Sequence, residues 1–159
     1  MSATVRGLNH AVLYVRDARR SAAFYEEAFG FEVLADYGEG AAVFMRAAGT
    51  QNHHDLGLFT IGANAPPPEQ GRVGLYHLAW QVETIQDLAE IRERLVRMGA
   101  LVGESDHGVT KSLYAKDPDN NEFEVMFMLP REEWGAMERE AITKPLDLAA
   151  EVARRGLTV

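Results

Sequence analysis

The chain contains no cysteine. That absence excludes disulfides, iron–sulfur clusters, thiolate zinc sites and a cysteine nucleophile. Positive charge is in deficit: 16 Lys and Arg face 24 Asp and Glu, a formal net charge of −8. A nucleic-acid partner would call for the opposite, a basic stripe. No apolar run approaches the ~18 residues of a membrane span. The opening MSATVRGLNHAVLYV lacks the charged, then apolar, then small-residue succession of a signal peptide. Proline is sparse, with 6 in 159 residues, and half of it is the run Pro66-Pro67-Pro68. What is present is ordinary for a globular domain with a real core: 47% hydrophobic, 25% charged and 9% aromatic residues. The expectation is an acidic, cytoplasmic protein with no nucleic-acid or membrane partner, whose metal, if it holds one, sits on His, Asp or Glu.

One pattern is written twice. LNHAVLYV (8–15) reads as a strand. Asp17 is placed to cap a helix over ARRSAAFYEEAF, in which Ala22, Phe24, Tyr25, Ala28 and Phe29 share a stripe and Gly30 is the stop. Strands follow at 31–37, 41–47 and 55–61, and then a linker around the three prolines. The order returns with GLYHLAWQV (74–82) and a helix opened by a Thr84/Asp87 capping box. Leu88, Ile91, Leu95 and Met98 form its buried face, and Gly99 closes it. ALVGES, KSLYAK and EFEVMFM supply three more strands. The predicted fold class is α+β: paired βαβββ modules over about 7–62 and 73–130 within a domain spanning 1–130, with a helical extension at 131–159. In that extension Pro145 fits a helix N1 position and Gly156 a stop. Leu146, Leu148, Ala149 and Val152 would dock on the body or on a second subunit of a homodimer.

His10 and His77 occupy matching places at the first strand of each repeat. A lone strand histidine is usually an ordinary core or surface residue; two at matched positions point to a shared role. Glu124 lies among Phe123, Val125 and Phe127, where a carboxylate is costly to bury unless paired or coordinated. The competing reading makes Glu122 and Glu124 the wet face of an edge strand. His10, His77 and Glu124 have the composition of a two-histidine, one-carboxylate facial triad, suited to Fe(II) or Mn(II) with open positions.

These segments resemble the vicinal-oxygen-chelate superfamily of glyoxalases, bleomycin-resistance proteins and type I extradiol ring-cleaving dioxygenases. The likeness rests on LNHAVLYVRDARRSAAFYEEAFGFEV, GLYHLAWQV and YAKDPDNNEFEVMF, covering roughly residues 7–128. It implies that the first and last strands of each module are neighbours, which puts Glu124 beside His77 and the NHHDLGLF strand beside His10. NHHDLGLF and HGVTKSLYAKDPDNNEFE are similar to the extradiol dioxygenases in particular. The resemblance gives His54 an acid/base role, with His53 as the register alternative. It gives His107 and Tyr114 hydrogen bonds to substrate, and Glu124 the ligand role with His10 and His77. Ser105, and Asn120 in place of a glycine, depart from the family pattern; asparagine tolerates the left-handed turn such a position needs.

The implied activity is extradiol cleavage of a catechol-like diol with O2 at Fe(II), with Mn(II) or another divalent ion as alternatives. Phe44, Met45, Trp80 and Phe127 are candidate pocket walls or core. A glyoxalase-like isomerase or lyase would use the same metal, with His54 or Asp55 as a fourth ligand. A non-catalytic resistance protein would need no triad.

Overall fold

The computed structural model describes residues 3–69 and 71–155. The chain divides into two compact units, 1–67 and 68–159. The first contains β1 (Ala11–Val15), α1 (Ala18–Phe29), β2 (Glu32–Tyr37), β3 (Ala42–Arg46) and β4 (Leu56–Thr60). The second contains β5 (Leu78–Val82), α2 (Ile85–Arg97), β6 (Leu101–Asp106), β7 (Thr110–Lys116) and β8 (Glu122–Met128). Two 3₁₀ turns (Arg131–Glu133 and Gly135–Arg139) and α3 (Leu148–Arg155) follow. This is the predicted βαβββ succession, twice.

Local chemistry accounts for the helices. The Asp17 carboxylate accepts the Arg20 N–H, and Gly30 ends α1 in the left-handed region at φ 69°. Thr84 and Asp87 form the capping box of α2. Ala22, Tyr25 and Ala28 are buried on α1; Ile85, Leu88, Ile91 and Leu95 are buried on α2. Phe24, Phe29 and Met98, expected on these faces, are only half-buried.

Each unit is a four-stranded sheet, in the orders β1-β4-β3-β2 and β5-β8-β7-β6. First and last strands are parallel neighbours; the other pairs are antiparallel. The antiparallel edge strand of each sheet, β2 and β6, carries a register shift, between Val33 and Ala35 and between Leu101 and Gly103. The helices cover one sheet face, so side chains alternate along the strands. Leu13 and Val15 are buried on β1 while Val12 and Tyr14 are exposed.

Three expectations need correction. The first strand of each unit begins later than its β-propensity suggests, at Ala11 and Leu78, because pairing with the last strand starts only there. β8 is an inner strand between β5 and β7, so Glu124 is not on a solvated edge. In the extension, Pro145 is not at N1. The helix begins at Leu148, and the Asp147 carboxylate accepts the Ala150 N–H at 3.0 Å. Pro145 lies upstream, after Lys144, which forms a two-bond antiparallel bridge with Asp106. Gly156, the expected stop, falls outside the described residues. Leu148 and Glu151 are buried as α3 packs on α2 of its own unit.

Candidate functional site

His10 and His77 each stand immediately before the first strand of their unit. In the second unit His77 Nε2 lies 3.1 Å from Glu124 Oε2, their side chains 26% and 12% exposed. His77 Nδ1 is buried with no hydrogen-bond partner among the described residues, so the ring's polar chemistry is directed at the carboxylate. The Tyr114 ring lies 5.8 Å from His77. Its hydroxyl is 2.9 Å from His107 Nε2, and His107 Nδ1 is 2.9 Å from the Ile142 carbonyl oxygen. Burial, then the Glu124 charge, pushes the Tyr114 phenol above its ordinary value, so it keeps its proton at neutral pH. Four of the predicted residues, His77, Glu124, His107 and Tyr114, are thus brought together within the second unit.

In the first unit the His10 and His54 rings are 4.4 Å apart, and Phe44 lies 5.3 Å from His54. Burial comes first, then electrostatic repulsion from the neighbouring His10 and His53 rings. Together they hold His54 below the ordinary imidazole value, against a smaller opposing effect of Asp55. His54 is therefore neutral near pH 7 and able to accept a proton. His53 is exposed, its Nδ1 3.1 Å from that of His54. Both lie before β4, so a turn separates them, not the strand alternation expected from sequence.

A relay of hydrogen bonds orients His10. The Asp55 carboxylate, an acceptor only, takes hydrogens from the Ala47 N–H, the Thr50 hydroxyl and Asn52 Nδ2, each at 2.8 Å. That sets the Asn52 amide with Oδ1 accepting from Asn9 Nδ2 at 2.8 Å, which turns Asn9 Oδ1 to His10 Nδ1 at 2.9 Å. An amide oxygen has no hydrogen to give, so Nδ1 carries a proton, and it is Nε2 that a neutral ring would offer as a lone pair. This is the tautomer a metal takes, with the other nitrogen held by a neighbouring acceptor. Asp55, weighed as a fourth ligand, is spent inside this relay.

The residues fit a divalent ion. Within the second unit the donors are one imidazole and one carboxylate, and two cis ligand atoms about 2.1 Å from one ion stand about 3 Å apart, close to the 3.1 Å of the His77–Glu124 contact. Among the described residues no group of three or more ligating side chains is already gathered. Register comparison explains why one unit alone carries the carboxylate. Ala79 pairs with Glu124 and Tyr114 with Glu124; the counterparts are Val12 with Gly57 and Phe44 with Gly57. The first unit keeps the histidine and the aromatic and replaces the glutamate with glycine.

Of the expected pocket walls, only Phe44 stands on this face. Met45 and Phe127 are buried core, and Trp80 pairs with buried Val125. The sequence reading missed the contribution of residues 142–144. A recess of about 660 Å³ between α2 and α3, lined by Ala89, Arg92, Leu148 and Val152 among others, contains none of the predicted site residues.

Two βαβββ units with this strand order are the glyoxalase-like architecture. The chain belongs to the family described as Glyoxalase/Bleomycin resistance protein/Dioxygenase superfamily, which matches residues 7–125. It is 32% identical over 130 residues to a catechol-2,3-dioxygenase of Bacillus subtilis (strain 168), covering 80% of this chain and 43% of that protein. It is 31% identical over 151 residues to biphenyl-2,3-diol 1,2-dioxygenase 3 of Rhodococcus globerulus, covering 90% and 75%. The chain therefore spans less than half of the first relative. A glyoxylase/bleomycin resistance protein/dioxygenase domain from Frankia sp. EAN1pec superposes with a TM-score of 0.65 at 25% identity, over 80% of this chain and 96% of that one.

Proposed function

We propose that this chain is an extradiol dioxygenase that opens a catechol-type ring with O2 at a divalent metal, Fe(II) in the first instance and Mn(II) as the alternative. The observation that carries this reading is the second-unit array. A histidine and a glutamate are poised 3.1 Å apart, beside a tyrosine whose hydroxyl is 2.9 Å from a further histidine. His77, Glu124 and His10 would hold the metal. When bound, it supplies a Lewis acid and a template for the diol oxygens and O2.

The protein's own groups do the rest. His54, neutral by its surroundings, takes a proton from the diol and returns one as the ring opens. Tyr114 hydrogen-bonds a substrate oxygen, and His107, whose two ring nitrogens face Tyr114 and the Ile142 carbonyl, holds the phenol in place and so sets the substrate ring's orientation. Asn9, Asn52 and Asp55 keep His10 in its ligating tautomer. A homodimer remains part of the proposal; Leu148 and Glu151 of α3 are buried against their own unit and are not available to it.

The test is anaerobic loading with Fe(II), followed by oxygen-electrode measurements with catechol, 3-methylcatechol and 2,3-dihydroxybiphenyl. One O2 consumed per ring opened is expected. No uptake with any diol, together with unchanged metal content in His10→Ala, His77→Ala and Glu124→Ala, overturns the proposal.

A further inference from the structure

The segment after the second 3₁₀ turn lies along the free edge of the second sheet. Asp106 and Lys144 exchange two backbone hydrogen bonds, Asp106 N–H to Lys144 O at 2.8 Å and Lys144 N–H to Asp106 O at 2.9 Å. Ile142 fits over Gly108, where a Cβ would come within 2.8 Å of Ile142 Cδ1 and 3.2 Å of Met137 Sδ. Only glycine, at φ +76°, leaves room for so close an approach. This anchoring brings the Ile142 carbonyl to 2.9 Å from His107 Nδ1, with the Thr143 hydroxyl at 3.3 Å from the same nitrogen.

We propose that residues 140–144 are a positioning strap that fixes His107 as its Nδ1–H tautomer and thereby makes Tyr114 a hydrogen-bond acceptor toward substrate. The inference rests on the dioxygenase reading only for the identity of that substrate. A carbonyl oxygen accepts and never donates, so the atom facing it at hydrogen-bond distance must bear the hydrogen. With Nδ1 protonated, a neutral ring offers only a lone pair at Nε2. The hydroxyl 2.9 Å away is that of Tyr114, so its single O–H is directed at His107. What the phenol oxygen then presents to a ligand is lone pairs. A site built this way recognises a diol oxygen that still carries its proton, a catechol bound as the monoanion, in preference to a second oxyanion. Ile142 and Lys144 touch no substrate; they act through His107.

The test reads the tautomer directly. Nitrogen-15 NMR of histidine-labelled full-length protein at neutral pH, with His107 assigned by His107→Gln, distinguishes a protonated Nδ1 from a protonated Nε2. The Nδ1–H form is expected in the native chain; an Nε2–H ring or an imidazolium overturns the proposal whether or not the protein consumes oxygen. Lys144→Pro deletes the N–H that the Asp106 carbonyl accepts and lifts the strap. It should convert His107 to a mixture rich in Nε2–H and raise the catechol KM on the order of tenfold, the loss of one hydrogen bond, with kcat little changed. A Lys144→Pro protein that keeps the pure Nδ1–H form also overturns it. Absence of oxygen uptake with the Nδ1–H form intact counts against the dioxygenase reading and not against the strap.

Discussion

At the scale of single residues, the acid/base role proposed for His54 can be tested apart from coordination. His54→Ala should leave metal content and catechol binding largely intact and lower turnover on the order of 10²–10⁴-fold; metal analysis beside oxygen uptake checks this. His53→Ala should do much less, because His53 is exposed and it is His54 that faces His10. Loss of metal in His54→Ala would make it a fourth ligand and favour isomerase chemistry. Asn120 offers a test free of the metal. It sits at φ 68° in a loop where the Asp117 carboxylate accepts from the Asp119 and Asn121 N–H groups. Asn120→Val should cost roughly 1–2 kcal/mol through the left-handed backbone, measured by urea unfolding, and Asn120→Gly should cost nothing comparable. His77, Glu124, His107 and Tyr114 are legible in the sequence because side-chain identity carries their chemistry. Ile142 is not, because what it contributes is a backbone carbonyl that any residue has.

Among the elements, helix limits are the most readable: Asp17, Gly30, Thr84 and Asp87 act locally and lie where their types imply. The standing of β8 as an inner strand is not readable from its own residues, since it depends on β5 returning from far along the chain to pair with it. Nor does sequence show that the extension is bound to β7 by charge. Lys111, 5% exposed at its side chain, contacts Asp106 at 2.5 Å and Glu151 of α3 at 3.9 Å. Burial alone would raise the Asp106 carboxyl. The hydrogen bonds from Lys111 and the Gly108 N–H, with the charges of Lys111 and Lys144, outweigh it and bring the group below its ordinary value. A folded value below the unfolded one gives stability that is complete above about pH 4 and lost as pH falls through the folded value. Asp106→Asn should therefore cost up to about 3 kcal/mol at pH 7, with the gap to wild type narrowing by pH 2.5. Urea midpoints at the two pH values check it; a constant gap refutes the account.

For the whole molecule, the duplication is plain in the text of the chain because His10 and His77, and the helix stops Gly30 and Gly99, recur in order. What the duplication does to function is plain only in the register, where Gly57 stands for Glu124 and Phe44 for Tyr114. The same register has a consequence for how the molecule forms. Ala11 pairs with Leu56 and Leu78 with Phe123, so both first strands wait for partners 45 residues away, while the other pairings are between strands adjacent in sequence. Closing those loops is the slow, entropically costly event. The expected order is therefore that the adjacent-strand meanders assemble first and β1 and β5 close each sheet last. Leu13→Ala, in a strand that joins after the transition state, should speed unfolding while leaving the refolding rate nearly unchanged, as stopped-flow fluorescence would show. The strands that follow His10 and His77 are thus the final pieces of their sheets, and a nascent chain can close neither sheet until the last strand of that unit has been made.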